Sequence, residues 1–210
     1  GGVWPSINGT LIWALALVDG RMAWDEWKKN TLAWHAQAYP EIWYGTWSGP
    51  DSYNSALSRY PGQTMFDEAL LTDGASDRES ALGGLNWTDF PVMNMHPHAW
   101  PLYDVVKLIG VEFTPDGVQL TPTLPLEAYR FASPLLGLEK SAAGYSGWYA
   151  PAVGGRWRIR LHLPDGVRSQ FARLEVNGAE GPLACADDGA FEWAGESAVG
   201  RPLQWALWKA

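Results

Sequence analysis

Between Tyr39 and Pro61 the chain reads YPEIWYGTWSGPDSYNSALSRYP, which places two carboxylates, Glu41 and Asp51, among Trp43, Trp47 and Asn54. Its Pro and Gly residues forbid a long regular element, so these side chains are carried on an irregular segment. Indole and phenol faces stack on the apolar faces of a pyranose ring, while carboxylates and amides bind its hydroxyls. A second stretch, Leu85 to Trp100, has the same character in LNWTDFPVMNMHPHAW and contributes Asp89, His96 and Trp100. The chemistry open to such a set is carboxylate chemistry on a sugar. Cleaving a glycosidic bond needs one carboxyl group to protonate the leaving oxygen and a second, ionised one to activate water or attack carbon. The competing reading of 39–61 is a surface loop that happens to hold aromatics.

Other chemistries lack their residues. There is no Gly-rich phosphate loop, nucleophile elbow, kinase signature or zinc motif. Cys185 is the only cysteine, so no internal disulfide and no cysteine-based zinc site can form, and the compartment stays open. His96 and His98 are two apart, which suits neither a strand nor a helix as a pair of metal ligands, so no metal and no cofactor is expected. Lys and Arg number 15 against 23 Asp and Glu, a formal charge of −8, which argues against nucleic acid or an anionic membrane as partner. The longest apolar run, Leu11 to Val18, is too short to span a bilayer. The chain opens Gly1-Gly2-Val3 without an initiator Met or a signal-peptide pattern, which creates the expectation of a piece of something longer.

Helices must position the two aromatic stretches. Apolar residues at Ile7, Leu11, Ala14, Leu15 and Val18 predict a helix with that face buried, closed by Gly20 as a left-handed cap. Trp24, Trp27, Thr31, Trp34 and Ala38 predict a second, continuous helix with a tryptophan stripe, ended by Pro40, with His35 hydrogen-bonded beside it. The two are expected to pack as antiparallel neighbours. The polar run from Gln63 to Gly84 reads as a solvated excursion that includes a short helix near Met65 to Leu71. Leu102, Val105, Val106 and Ile109 predict a further helix, closed by Gly110.

Beyond Gly110 the period becomes two. Val111–Phe113 and Val118–Leu120 flank the turn Thr114-Pro115-Asp116-Gly117, and Trp157, Ile159, Leu161 and Leu163 alternate with Arg156, Arg158, Arg160 and His162. Leu163 to Val167 repeats the first turn in type. Leu174–Val176 runs into Asn177-Gly178, and Phe191–Trp193 and Leu203–Leu207 follow. The expectation is α+β: residues 1–110 helical, and 111–210 an antiparallel sandwich or sheet of six to eight short strands. The three arginines on one face read as a solvated row paired with nearby carboxylates rather than a phosphate site.

The order helix, turn, helix, PEIWYGTWSG, an Asn- and His-rich segment, then a helix ending in IGVEFTPDGVQLTPTLP resembles the C-terminal part of the (α/α)6-barrel glycosidases with their β-sandwich tail. The α-L-rhamnosidases, the trehalase and glucosidase groups and the cellobiose phosphorylases share this layout, and the likeness runs over residues 3 to 135. In several such hydrolases a carboxylate after a barrel helix is the catalytic base, and the matching position is Glu41. Asn94 to Trp100 falls where rhamnosidases carry an Asn-His pair. It also falls where phosphorylases bind phosphate through a Thr-Gly pair, here replaced by Met95 and His96. The resemblance therefore implies part of a glycoside hydrolase acting by inversion on a carbohydrate substrate. Trp43, Trp47, Asp51, Asn54, Asp89, His96 and Trp100 would line the sugar. It also implies a general acid on an earlier helix outside the chain, supplied by the remaining part of the barrel or by a complementary chain. A non-catalytic carbohydrate-binding or structural module and a glycoside phosphorylase are the alternatives.

Overall fold

The computed structural model describes residues 3–40, 53, 55–57 and 95–210, which fall into two compact units, Gly1–Leu108 and Ile109–Ala210. The first is helical among its described residues and the second is built from strands.

Helix α1, Pro5–Ala16, begins with proline at its first position, where a missing N–H costs nothing. Its buried residues are Pro5, Gly9 and Ile12, not the apolar set expected from spacing: Ile7 is 66% and Leu11 46% exposed, and Val18 lies beyond the helix end. Gly9 decides this. A Cβ there would lie 2.8 Å from the Trp100 ring and 2.9 Å from Asp104 Oδ1, so the missing side chain lets another helix pack against this face. Gly20 is not a C-terminal cap either. It opens α2, Gly20–Lys29, whose cap is Asp19, accepting from the N–H groups of Arg21 and Met22 at 2.9 and 3.1 Å.

The continuous tryptophan helix is broken in two. Helix α2 ends at Asn30, and α3, Leu32–Ala38, starts afresh with Thr31 as its cap. The Thr31 hydroxyl donates to Lys28 O at 2.7 Å and accepts from Trp34 N–H at 3.3 Å, offering the backbone a local alternative to the helical ladder. The stripe therefore separates: Trp24 and Trp27 stack at 4.8 Å, while Trp34 groups with His35 and Tyr39. Helices α1 and α2 pack on one another, and α3 stops before Pro40 as the proline demands.

Helix α4, Met95–Ile109, begins well before Leu102 and carries Pro101 inside it. Its buried residues are Pro101, Asp104, Leu108 and Ile109, and Leu102 is 73% exposed. Gly110, at φ +67°, ends the helix in the left-handed conformation expected of it.

The second unit is a two-sheet sandwich. One sheet, in the order β1-β2-β6-β9, combines Val111–Thr114, Gly117–Leu120, Gly155–Leu161 and Phe191–Ser197. The other, in the order β3-β4-β5-β10-β7-β8, combines Tyr129–Ala132, Leu136–Ser141, Gly144–Tyr149, Leu203–Lys209, Phe171–Val176 and Ala179–Gly181. Ten strands replace the six to eight expected, and β2 and β6 pair in parallel within otherwise antiparallel sheets. The alternation itself holds. Ile159 and Leu161 of β6, Phe191 and Trp193 of β9, and Leu203, Trp205 and Leu207 of β10 all point inward. Rings meet across the layers, Trp193 with Trp205 at 4.9 Å and Phe171 with Phe191 at 5.7 Å. Burying each such side chain contributes about 1.5–3 kcal/mol. Both local hairpins form as read, one around Pro115-Asp116 and one around Asn177-Gly178. The turn expected after Leu163 is instead a one-turn helix α5, Asp165–Arg168.

Candidate functional site

The candidate residues divide sharply. Glu41, Trp43, Trp47, Asp51, Asn54 and Asp89 lie outside the described residues, as does the excursion from Gln63 to Gly84. His96 belongs to the first turn of α4, and Trp100 follows one turn later on the same helix. Trp100 is thus the one proposed sugar contact whose surroundings are defined. Its ring lies 5.5 Å from Trp13 of α1 and 5.9 Å from Tyr103, and Tyr103 meets Trp13 edge-on at 5.1 Å. Lys107 completes the group, its ammonium 5.1 Å from the Trp13 ring centre.

Under these aromatics sits a carboxyl group that periodicity does not single out. Asp104 is 0% exposed, and its Oδ1 accepts from Trp13 Nε1 at 2.8 Å. Burial raises its pKa to about 6, against the opposing pull of the Trp13 and Asn30 hydrogen bonds. Asn30, equally buried at the end of α2, donates to Pro5 O at 3.0 Å. Asp104 Oδ2 and Asn30 Oδ1 have no hydrogen-bond partner among the described residues, a further reason for the carboxyl to hold its proton. Trp27 Nε1 donates to Pro101 O at 2.7 Å, tying α2 to α4. Enclosed in this way, Asp104 joins the helices of this unit. An aspartate inside the apolar run of α4 was the available signal, and its spacing from Trp100 was the clue to its face.

A second group of contacts holds the aromatic stretch at Tyr53 and at Tyr39. Val3 and Tyr53 form a two-way backbone bridge, at 2.7 and 3.0 Å. The Tyr53 ring packs 4.2 Å from the fully buried His35. Burial lowers the His35 pKa to about 4, so the imidazole is neutral at pH 7, and burial likewise pushes the Tyr53 phenol upward. At the start of the stretch, Tyr39 meets Trp34 edge-on at 6.0 Å.

In the sandwich, the arginine row is paired as the sequence suggests. Arg158 lies 3.1 Å from Asp116 and 3.7 Å from Glu192, and Arg160 lies 2.7 Å from Asp188 and 3.2 Å from Glu192. Among the described residues no group of three His, Cys, Asp or Glu side chains could hold a metal ion, and no helix is long and apolar enough to cross a membrane.

No protein-family model and no curated relative matches the chain. Among solved structures, a GH127 beta-L-arabinofuranosidase from Geobacillus stearothermophilus T6 is similar over 55% of this chain and 19% of that one, at 10% identity and a TM-score of 0.35. A second GH127 beta-arabinofuranosidase is similar over 53% of this chain and 20% of its own, at 15% identity and a TM-score of 0.34. The match spans about a fifth of the length of these proteins, and the likeness is a distant structural one to glycoside hydrolases.

Proposed function

We propose that this chain is part of a glycoside hydrolase that cleaves glycosidic bonds with inversion, with Glu41 as general base. Trp43, Trp47, Asp51, Asn54, Asp89, His96 and Trp100 line the sugar subsite in this reading. The observation that carries it is the tethering of the aromatic stretch. Helix α3 stops at Ala38, Tyr39 packs on Trp34, and Tyr53 is bridged to Val3 and sealed against His35. Tyr39 and Tyr53, which flank Glu41, Trp43, Trp47 and Asp51, are therefore both fixed to the helical unit, which is what a base needs if it is to meet a bound water repeatedly in one geometry.

Inversion requires a second carboxyl group about 6.5–9.5 Å away to protonate the leaving group. Asp104 is held near the right pKa but is enclosed by α1, α2 and α4, so the acid comes from other helices, in a further part of the barrel or a complementary chain. The apolar row Trp4, Ile7 and Leu11, all exposed and three to four residues apart, supports such a partner. The α1 helix bears no charged residue, as suits the core of an interface.

Replacing Glu41 with Gln in the assembled enzyme tests the role. Turnover of aryl glycosides should fall at least about a hundredfold with little change in melting temperature, and NMR should show the product first released in the opposite anomeric form. The 210-residue chain alone should show no turnover. Near-normal turnover in a folded Glu41→Gln enzyme would move the base elsewhere, and activity dependent on inorganic phosphate would revive the phosphorylase reading.

A further inference from the structure

We propose that the groove between edge strands β8 and β9 binds a sugar unit of a neutral glycan, at a site of its own within the sandwich. The groove encloses about 410 Å³, the size of a small-molecule site, over a floor formed by Leu174, Val176, Gly195 and Trp193. Both bordering strands are outermost in their sheets, so β9 has one side without a neighbouring strand.

Two clamps close that side except at its centre. Asn177 holds one end: its side chain donates to Glu196 O and accepts from Gln204 N–H, both at 2.9 Å. The loop at Ala184–Ala186 holds the other, accepting from Glu192 N–H at 3.2 Å and donating to Ala190 O at 2.8 Å. Between them lies Ala194. It stands opposite Arg158, whose own N–H turns the other way to Asp116 O at 2.8 Å, so the pair is not hydrogen-bonded. The N–H and C=O of Ala194 therefore point into the groove with no strand or loop partner among the described residues.

The side chains fit the same ligand. Arg156 and Glu196 approach only to 3.9 Å, too far for a direct hydrogen bond, which leaves guanidinium donors and carboxylate acceptors for a third group. Glu180 adds a carboxylate from the opposite wall, while Glu192 is already engaged by Arg158 and Arg160. Donors and acceptors thus alternate at short range, the one guanidinium of Arg156 beside the carboxylates of Glu180 and Glu196. Hydroxyl groups, each both donor and acceptor, match that mixture, and the excess of carboxylates disfavours an anion. An extended peptide adding to β9 is the rival occupant. Residues 192–196 span roughly 13 Å at about 3.3 Å per residue, which accommodates one or two sugar rings but only a fragment of a strand.

The test is affinity electrophoresis of the full chain in gels containing arabinan, xylan or glucomannan. At least one glycan should retard it, and Arg156→Met and Glu196→Gln should each weaken that retardation at least about tenfold. These side chains are 69% and 68% exposed, so the variants should keep the parent melting temperature. Retardation by none of the three, or retardation untouched by both variants, would overturn the proposal. So would loss on Trp43→Ala alone, which would assign the binding to the aromatic stretch, or capture of an uncharged Thr/Val peptide in place of any glycan. Failure of hydrolysis in the Glu41 experiment leaves these outcomes unchanged.

Discussion

The two units are built on opposite principles. All three fully buried polar side chains among the described residues, Asn30, His35 and Asp104, lie in the helical unit, and the sandwich core is aliphatic and aromatic. In the sandwich the alternating residues Ile159, Leu161 and Leu163 are inside as expected, with Trp157 half-buried and Phe113 of β1 exposed. In the helical unit the expected faces are shifted: Ile7, Leu11 and Leu102 face outward, while Gly9, Pro101 and Asp104 face inward. The difference teaches that apolar periodicity finds the buried face when a unit covers that face itself. A glycine contact and hydrogen bonds such as Trp13 to Asp104 and Trp27 to Pro101 set the approach of the helices here, and an apolar row is left for other contacts.

The comparison breaks most directly in the sandwich. Leu207 is fully buried on β10, the strand paired on both sides by β5 and β7. Leu207→Ala should remove about 2–5 kcal/mol from the stability of this unit, read as lowered global hydrogen-exchange protection of its strands. A loss well below that would mean the strand core is as loosely determined as the helical one.

Next in size are two opposed pH effects in the helical unit. The folded pKa of Asp104 is raised from 3.8 to about 6, so its contribution is fully present below pH 3.8 and disappears as pH rises to about 6. His35 runs the other way: its folded pKa is lowered from 6.5 to about 4, so stability is lost as pH falls from 6.5 to about 4. Each shift corresponds to something on the order of 3 kcal/mol, and between about pH 4 and 6 the two oppose one another in the native protein. Replacement uncovers either partner. In urea titrations followed by helical circular dichroism, Asp104→Asn should make stability rise with pH between 4 and 6.5, and His35→Gln should make it fall with pH between about 4 and 6. Equal slopes in both variants would remove buried polar groups as the organising feature.

The smallest expected effect sharpens the contrast. Ile7→Gln and Leu11→Gln should change the melting temperature of the isolated chain by no more than about 0.5 kcal/mol of stability allows, because both side chains are already exposed. The same substitutions should weaken association with complementary helices. A large loss in the isolated chain would show that the row is buried in solution after all.

The amino-acid sequence by itself determined the change from helical to alternating period near Gly110. It determined the hairpins at Pro115-Asp116 and Asn177-Gly178, the stop before Pro40 and the pairing of the arginine row. Each depends on neighbours a few residues away or on a strict period of two, and such preferences are written locally. Tertiary structure alone decided the inward turn of Asp104, the parallel pairing of β2 with β6 and the groove beside Ala194. Those features depend on which distant segment comes close enough to supply a hydrogen bond, to exploit the missing side chain of Gly9, or to leave an edge of β9 uncovered. Spacing along one chain records the direction in which a side chain points, and only the packed molecule records what it meets there.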